Sequence, residues 1–207
     1  MKLYYFPGSC ALAPHIVFNW IGEPFEAVRI EKGDPEYLKV NPLGVVPALE
    51  HGDRIYTQAD AILHWQAESF PEAALGGDGT PDSNYELNRW MAFLTGDLHP
   101  AYFPFFNPGR YTTGDSEADK AAVKAAAQRL VAKFYEHLDR HLEDREYIAG
   151  SRRSIADAYA IPMLRWGRAQ DKPLSEYRAL NAFFERWLRD DGVHRAMKEQ
   201  GLIRDQG

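Results

Sequence analysis

Cys10 is the only thiol in a chain of 207 residues, and it stands where a strand gives way to a helix. Lys2 to Phe6 reads as a short aromatic strand, Pro7-Gly8 as a turn and Ala11 to Trp20 as a helix. A thiol at that junction faces unpaired N–H groups and the positive helix end, which favour the thiolate and predict a pKa below the usual ~8.5. The same placement suits a small, partly buried hydrophobe, because free cysteine is among the most buried residue types. A second junction, Thr57-Gln58-Ala59-Asp60, reads as a helix start with Thr57 as N-cap and Asp60 closing a capping box. The free N–H groups near Gln58 and Ala59 could hold a carboxylate there, although every helix has such a start. His99, beside the aromatic run Ala101 to Pro108, is the third candidate; on residues alone it is as readily a satisfied polar group.

Other chemistries find less support. His137 and His141 are spaced to meet one metal ion, but no third ligand follows at a convincing distance, and solvated surface histidines are expected. Ser154-Ile155-Ala156-Asp157 is a capping box whose spacing is explained by helix initiation alone, so it belongs to folding. Gly76-Gly77 lacks the Lys-Ser/Thr of a phosphate loop. A single cysteine excludes an internal disulfide and a CxxC redox pair, and it suits a reducing compartment. The formal charge of −6 argues against a nucleic-acid groove. No apolar run approaches membrane-spanning length and the N-terminus enters a strand directly, so no membrane partner and a cytoplasmic setting are expected.

The elements that must position these groups follow in order. After the first helix, Phe25 to Ile30 alternates as a second strand, and Asp34-Pro35 caps a short helical turn. Val45 to Glu50 and Arg54 to Tyr56, joined by His51-Gly52-Asp53, read as a hairpin. Together these make a mixed sheet of four strands. Pro47 cannot donate to a ladder and must lie at a strand start or edge; a cis bond there would turn the Val46 N–H and C=O toward a ligand. The Gly/Pro-rich run Pro71 to Asp82 marks a domain boundary, beyond which strand signals fade. Tyr85 to Leu98, Glu117 to Leu142, a helix opened by Ser154, Ser175 to Leu188 and Val193 to Gln200 read as helices. In the long one, Val123, Ala127, Leu130, Phe134, Leu138 and Leu142 draw an apolar stripe. Pro162 is expected to bend the Ser154 helix without ending it. Tyr5 is expected in the core or as a site wall, and Tyr102, Phe103, Phe105, Phe106 and Trp166 as packing, pocket lining or both.

The order and spacing of these segments resemble a family. Pro7-Gly8-Ser9-Cys10 with Leu12-Ala13-Pro14-His15, Asn41-Pro42-Leu43-Gly44-Val45-Val46-Pro47-Ala48-Leu49, Gly96-Asp97-Leu98-His99, Ser154-Ile155-Ala156-Asp157 and Leu164-Arg165-Trp166 are together similar to bacterial, cysteine-bearing, beta-class glutathione S-transferases. The resemblance runs essentially the full length. It implies an α/β plus all-α fold: a thioredoxin-like βαβαββα domain over residues 1–76, a linker over 77–82 and an all-helical domain over 83–207. It implies glutathione as co-substrate, no metal, a small hydrophobic electrophile and a homodimer. Carried onto this chain, Cys10 and His99 are the catalytic candidates; Val46, Pro47, Gln58 and Ala59 hold glutathione; Tyr5, Tyr102, Phe105, Phe106 and Trp166 line the electrophile pocket. Conjugation is the leading activity, with glutathione-dependent disulfide exchange through Cys10, or a non-catalytic binding role, as alternatives. Three positions depart from the family pattern. Ala59 replaces a serine and loses its hydroxyl, Pro100 replaces a lysine, and Phe6 stands where a small Ser or Thr is common.

Overall fold

A four-stranded sheet with order β2-β1-β3-β4 carries the first domain. The structure, a computed structural model, describes residues 1–203. β1 (Lys2–Tyr5), α1 (Leu12–Ile21) and β2 (Glu26–Arg29) form a βαβ unit whose strands pair in parallel, Leu3 opposite Ala27. After α2 (Pro35–Val40), β3 (Ala48–His51) runs antiparallel to β1, and β4 (Arg54–Thr57) closes the hairpin before α3 (Ala59–Ser69). The sequence-derived order βαβαββα is the observed one. Asp34 caps α2 as expected, Oδ1 accepting from the Glu36 N–H at 2.9 Å with Pro35 in the first turn.

The helical part begins with α4 (Pro81–Phe93) and continues through a π-helical stretch, Leu94–Leu98, into α5 (His99–Ala101) and α6 (Phe103–Phe106). The wider π turn coincides with Gly96 and delivers His99, matching the tendency of such turns to occur at functional sites. Then follow α7 (Glu117–His141), α8 (Ile155–Gly167), α9 (Arg178–Trp187) and α10 (Asp191–Glu199). Helix α8 runs on through Pro162, so the proline does not end it.

Helix α1 packs on α8 and α10 as well as on α3. Leu12, Ile16, Val17 and Trp20 of α1 therefore share one core with Trp90, Leu164, Phe184 and Val193 of the helical part. Fully burying such side chains stabilises by roughly 1.5–3 kcal/mol each, so the helix that follows Cys10 is anchored on both sides. Leu3, Phe18, Leu49 and Ile62 fill the helix-bearing side of the sheet, and Ile30, Tyr37 and Ala48 form a separate small core.

Four local expectations change. Thr57 closes β4 and does not cap α3; the cap position is Gln58, at φ 71°, and its side chain makes no cap bond. The strand pairing with Ala48 claims Thr57, which dissolves the Thr57–Asp60 box. Strand β3 starts at Ala48, three residues after the expected Val45. The apolar stripe of α7 is rotated: Val131 and Tyr135 are buried beside Ala127, Leu138 and Leu142, whereas Leu130 is 42% exposed. His141 is no solvated surface residue; its Nε2 lies 2.8 Å from the Ile148 carbonyl and its ring packs on Trp90. Among the described residues no group of three or more His, Cys, Asp or Glu is arranged to hold a metal ion.

Candidate active site

The loop that presents Cys10 is held from the helical part. Gly8 sits at φ 71°, a left-handed conformation that glycine adopts without strain, and two long-range partners grip it. Its N–H donates to Gln200 Oε1 at 3.0 Å, and its carbonyl accepts from Trp166 Nε1 at 2.8 Å. The Gln200 amide then faces His15 Nδ1 at 3.2 Å, and His15 Nε2 lies 2.6 Å from Glu199 Oε2. Since Gln200 Oε1 is occupied by an N–H, its Nε2 donates to His15 Nδ1, and the opposite ring nitrogen carries the proton toward Glu199. Burial lowers the His15 pKa against the pull of Glu199 and keeps the chain of donors neutral at the ring. Nothing in the sequence around Gly8 announced Gln200 or Glu199, which lie at the far end of the chain.

Cys10 precedes the helix proper: Ala11 is the N-cap, and Cys10 Sγ approaches the Val46 carbonyl at 3.5 Å. The expected depressed pKa is overturned. Burial of the sulfur pushes the thiol up to about 12, and the N–H groups of Cys10 and Ala11 offset only part of this. The free protein therefore holds Cys10 as a thiol at neutral pH, able to donate a hydrogen bond.

Val46–Pro47 is cis, as read from the sequence, with Pro47 buried immediately before β3 and Val46 half-buried. Tyr37 Oη and Asn41 Nδ2 both donate to the Val45 carbonyl, at 2.6 and 2.7 Å, which fixes the segment from behind. Phe6 and Val46 each pack against the small core of Ile30, Tyr37 and Ala48. At the start of α3, Gln58 is exposed, strained at its positive φ and free of any side-chain cap bond, while the Ala59 side chain is buried. A non-glycine residue held in such a conformation costs on the order of 1–3 kcal/mol and tends to mark ligand sites. Asp60 Oδ1 has no hydrogen-bond partner and lies 3.7 Å from His64 Nε2.

His99 is half-buried and its Nδ1 lies 2.7 Å from Tyr159 Oη. Burial pulls the His99 pKa down to about 4 and drives that of Tyr159 far up, so the pair is a neutral imidazole and a neutral phenol. Tyr159 has no other acceptor among the described residues, so its hydroxyl donates to Nδ1 and the ring proton sits on Nε2. Negative charge on Cys10 or Asp60 would raise the Tyr159 pKa further. Tyr159 was missed from the sequence because it sits on an apolar stretch of α8. Only the fold turns it toward His99.

The aromatic candidates separate. Trp166 packs against His99 at 5.3 Å between ring centroids and against Phe106 at 5.2 Å, and Phe105 and Phe106 border a cavity with it. Tyr102 is fully buried, its hydroxyl 2.7 Å from Tyr135 Oη and donating to the Met163 carbonyl at 3.2 Å, so the structure places it in the core. Tyr5 is 5% exposed, its hydroxyl donating to the Glu199 carbonyl at 3.4 Å, which makes it part of the brace under the loop. Pro100 stands in the first turn of α5.

Replacing Tyr159 by Phe removes the donor to Nδ1, and nitrogen NMR of His99 should show the Nδ1–H form gaining population. An unchanged Nε2–H signature in Tyr159→Phe would remove the basis for this hydrogen bond.

This geometry has close counterparts among known proteins. The family model described as "Glutathione S-transferase, N-terminal domain" matches residues 3–74, and "Glutathione S-transferase, C-terminal domain" matches residues 90–191. The chain is 40% identical to glutathione S-transferase GST-4.5 of Xanthomonas campestris pv. campestris, over 98% of this chain and 100% of the relative. It superimposes on a bacterial beta-class glutathione S-transferase of Sphingomonas chungbukensis with a TM-score of 0.86 at 37% identity, covering 98% of this chain and 100% of that one. A sphingomonad glutathione S-transferase complexed with glutathione gives a TM-score of 0.86 at 33% identity, covering 98% and 100%. With a βαβαββα domain, a following helical domain and a single cysteine before the first helix, the chain belongs to the glutathione S-transferase family and is similar to its bacterial beta class.

Proposed function

We propose that this enzyme conjugates glutathione to small hydrophobic electrophiles, with Cys10 acting as a hydrogen-bond donor and not as the nucleophile. The observation that supports this most is the Cys10 thiol itself, kept protonated by burial and held within reach of the Val46 carbonyl. A protonated donor beside the glutathione sulfur stabilises its thiolate, and bond geometry plus proximity supply the remaining catalysis. Glutathione loses its thiol proton to solvent, its sulfur forms a bond to the electrophilic carbon, and the leaving group departs with the electron pair. His99 Nε2–H is a second neutral donor in this reading. Because its pKa is about 4, His99 supplies no proton of its own charge in the working range.

In the same reading, the Val46 backbone pairs with the cysteinyl part of the tripeptide next to Pro47. Gln58 and the Ala59 N–H take the γ-glutamyl end. Phe105, Phe106 and Trp166 face the electrophile. We assign residues 1–76 to glutathione, 77–82 to the link and 83–207, of which 204–207 lie outside the described residues, to the helical unit, in a cytoplasmic homodimer. Sizing at micromolar concentration should give a particle about twice the 23.6 kDa chain mass.

Calorimetric titration with glutathione tests the site. Ala59 keeps its backbone N–H and lacks a hydroxyl, so Ala59→Ser should add one bond to a carboxylate and tighten binding by about 10–100-fold, in line with the roughly 1.5–3 kcal/mol expected of a charged hydrogen bond. No binding at millimolar glutathione in either protein would leave a non-catalytic role on this scaffold.

The pH profile follows from His99. Its folded pKa of about 4 lies below the unfolded value of 6.5, so kcat/KM should show no inflection near 6.5 from this group. The sign for stability is the same way round: acidification from pH 7 toward 4 protonates the unfolded chain first, and the stability His99 contributes when neutral is lost across that interval.

A further inference from the structure

Arg165 immediately precedes Trp166 on α8, is half-buried, and carries its guanidinium against the loop that leads to Cys10. A methyl group added at Gly8 would stand 2.8 Å from Arg165 Nη1. Arg168, one turn on, is exposed. Neither guanidinium has an ion pair or a hydrogen bond among the described residues. Burial and the like charge of Arg168 both lower the proton affinity of Arg165, as for a cation waiting for a counter-charge.

The two arginines edge a cavity of about 430 Å³ whose other walls include Phe105, Phe106, Trp166 and Leu202. Phe106 is 47% exposed, an apolar face that a flat ligand would cover. The volume lies in the range of small-molecule sites, and the pairing of apolar walls with unpartnered guanidinium groups selects an aromatic body with an anionic head.

We propose that this cavity recognises the electrophile through a carboxylate held by Arg165, with Arg168 assisting, so that the favoured substrates are aromatic electrophiles bearing a carboxylate. The assignment rests on the transferase reading above and narrows its substrate class. With 4-chloro-3-nitrobenzoate the balance is simple. The glutathione sulfur bonds to the ring carbon that carries chlorine, the C–Cl bond breaks, chloride leaves with the electron pair and the thiol proton goes to solvent.

Two matched pairs of probes test it: conjugation of 4-chloro-3-nitrobenzoate against 4-chloro-3-nitrobenzamide, and calorimetric binding of 3-nitrobenzoate against 3-nitrobenzamide. The acid should be preferred over the amide by about tenfold or more in both assays, the scale of one charge-assisted bond. Arg165→Gln should bring that ratio close to one and Arg165→Lys should retain part of it. Arg168→Gln, at an exposed position where folding is not at stake, should reduce it severalfold. Equal treatment of acid and amide by the wild type, or a preference that survives Arg165→Gln with Arg168→Gln, overturns the proposal. If the amide is conjugated with no preference for the acid, the anion site fails while the transferase reading stands. If the acid binds more tightly but neither compound is conjugated, the electrophile role falls together with the transferase reading.

Discussion

Replacing Asp157 by Ala is expected to cost about 3–5 kcal/mol of stability, the upper end of single-residue effects. Asp157 is fully buried at the start of α8. Its Oδ1 accepts from the Ile148 N–H at 2.9 Å, and Oδ2 accepts from the Ser154 N–H at 2.7 Å and lies 3.1 Å from Ser154 Oγ. One carboxylate thus closes the capping box and also ties the preceding loop to the helix. Alanine would strand two buried N–H donors, each worth about 1–3 kcal/mol when left unsatisfied, and loosen a cap worth roughly 1 kcal/mol. The effect reaches function because α8 carries Tyr159, Arg165 and Trp166, and Trp166 holds Gly8.

The effect also depends on pH. Burial raises the Asp157 pKa from 3.8 to about 7 in spite of its donors. A carboxyl whose folded pKa is raised contributes most below the unfolded value, and its contribution falls as pH rises through the interval up to the folded value. Denaturant melts of Asp157→Ala should therefore show a larger loss at pH 5 than at pH 8. A loss under about 1 kcal/mol at both pH values would mean that the buried N–H groups find other partners.

Replacing Cys10 by Ala should lower the rate of aryl-halide conjugation by about 10–100-fold, the loss of one hydrogen bond to a charged sulfur, while leaving stability nearly unchanged. The residue as a whole is half-buried although its sulfur is covered, and among the described residues its side chain makes one hydrogen bond, the long contact to Val46, so little folding energy depends on it. Cys10→Ser separates the roles. A hydroxyl also donates, so serine should recover most of the lost conjugation if Cys10 is a donor, whereas it cannot form a mixed disulfide. Any reduction of small disulfides should vanish in both variants. The same reading predicts slow alkylation of Cys10 by iodoacetamide at neutral pH in the glutathione-free enzyme, since the thiolate is scarce below a pKa of about 12. Wild-type conjugation rates in Cys10→Ala would move the chemistry to His99 or another neighbour. Fast alkylation at pH 7 would restore the thiolate and favour disulfide exchange.

The strand, turn and helix order of the first domain was legible in the residues because each element depends on its own neighbours. Pro7-Gly8 makes the turn, Asp34-Pro35 caps α2, and Ser154 with Asp157 opens α8; these are short-range rules, and the structure keeps all three. The family pattern likewise named Cys10, Val46-Pro47 and His99 as candidates, and the expected cis bond at Val46–Pro47 is present. Where two local rules competed, the tertiary contact won: Thr57 is a good cap, but its pairing with Ala48 draws it into β4 and leaves Gln58 at the helix start. Helical periodicity located α7 but misplaced its buried face by about one residue, since the face is set by which neighbours it meets. The state of the site was not legible at all. A helix start argues for a thiolate at Cys10, but desolvation of the sulfur depends on the folded chain, which brings the Val46 carbonyl, 36 residues away, against it. The same holds for the tautomer of His99, set by Tyr159 sixty residues away, and for the grip of Gln200 on Gly8 across 192 residues. Residue types and spacing determine which groups are available; proton positions and charge depend on burial and on partners that only the folded chain brings together.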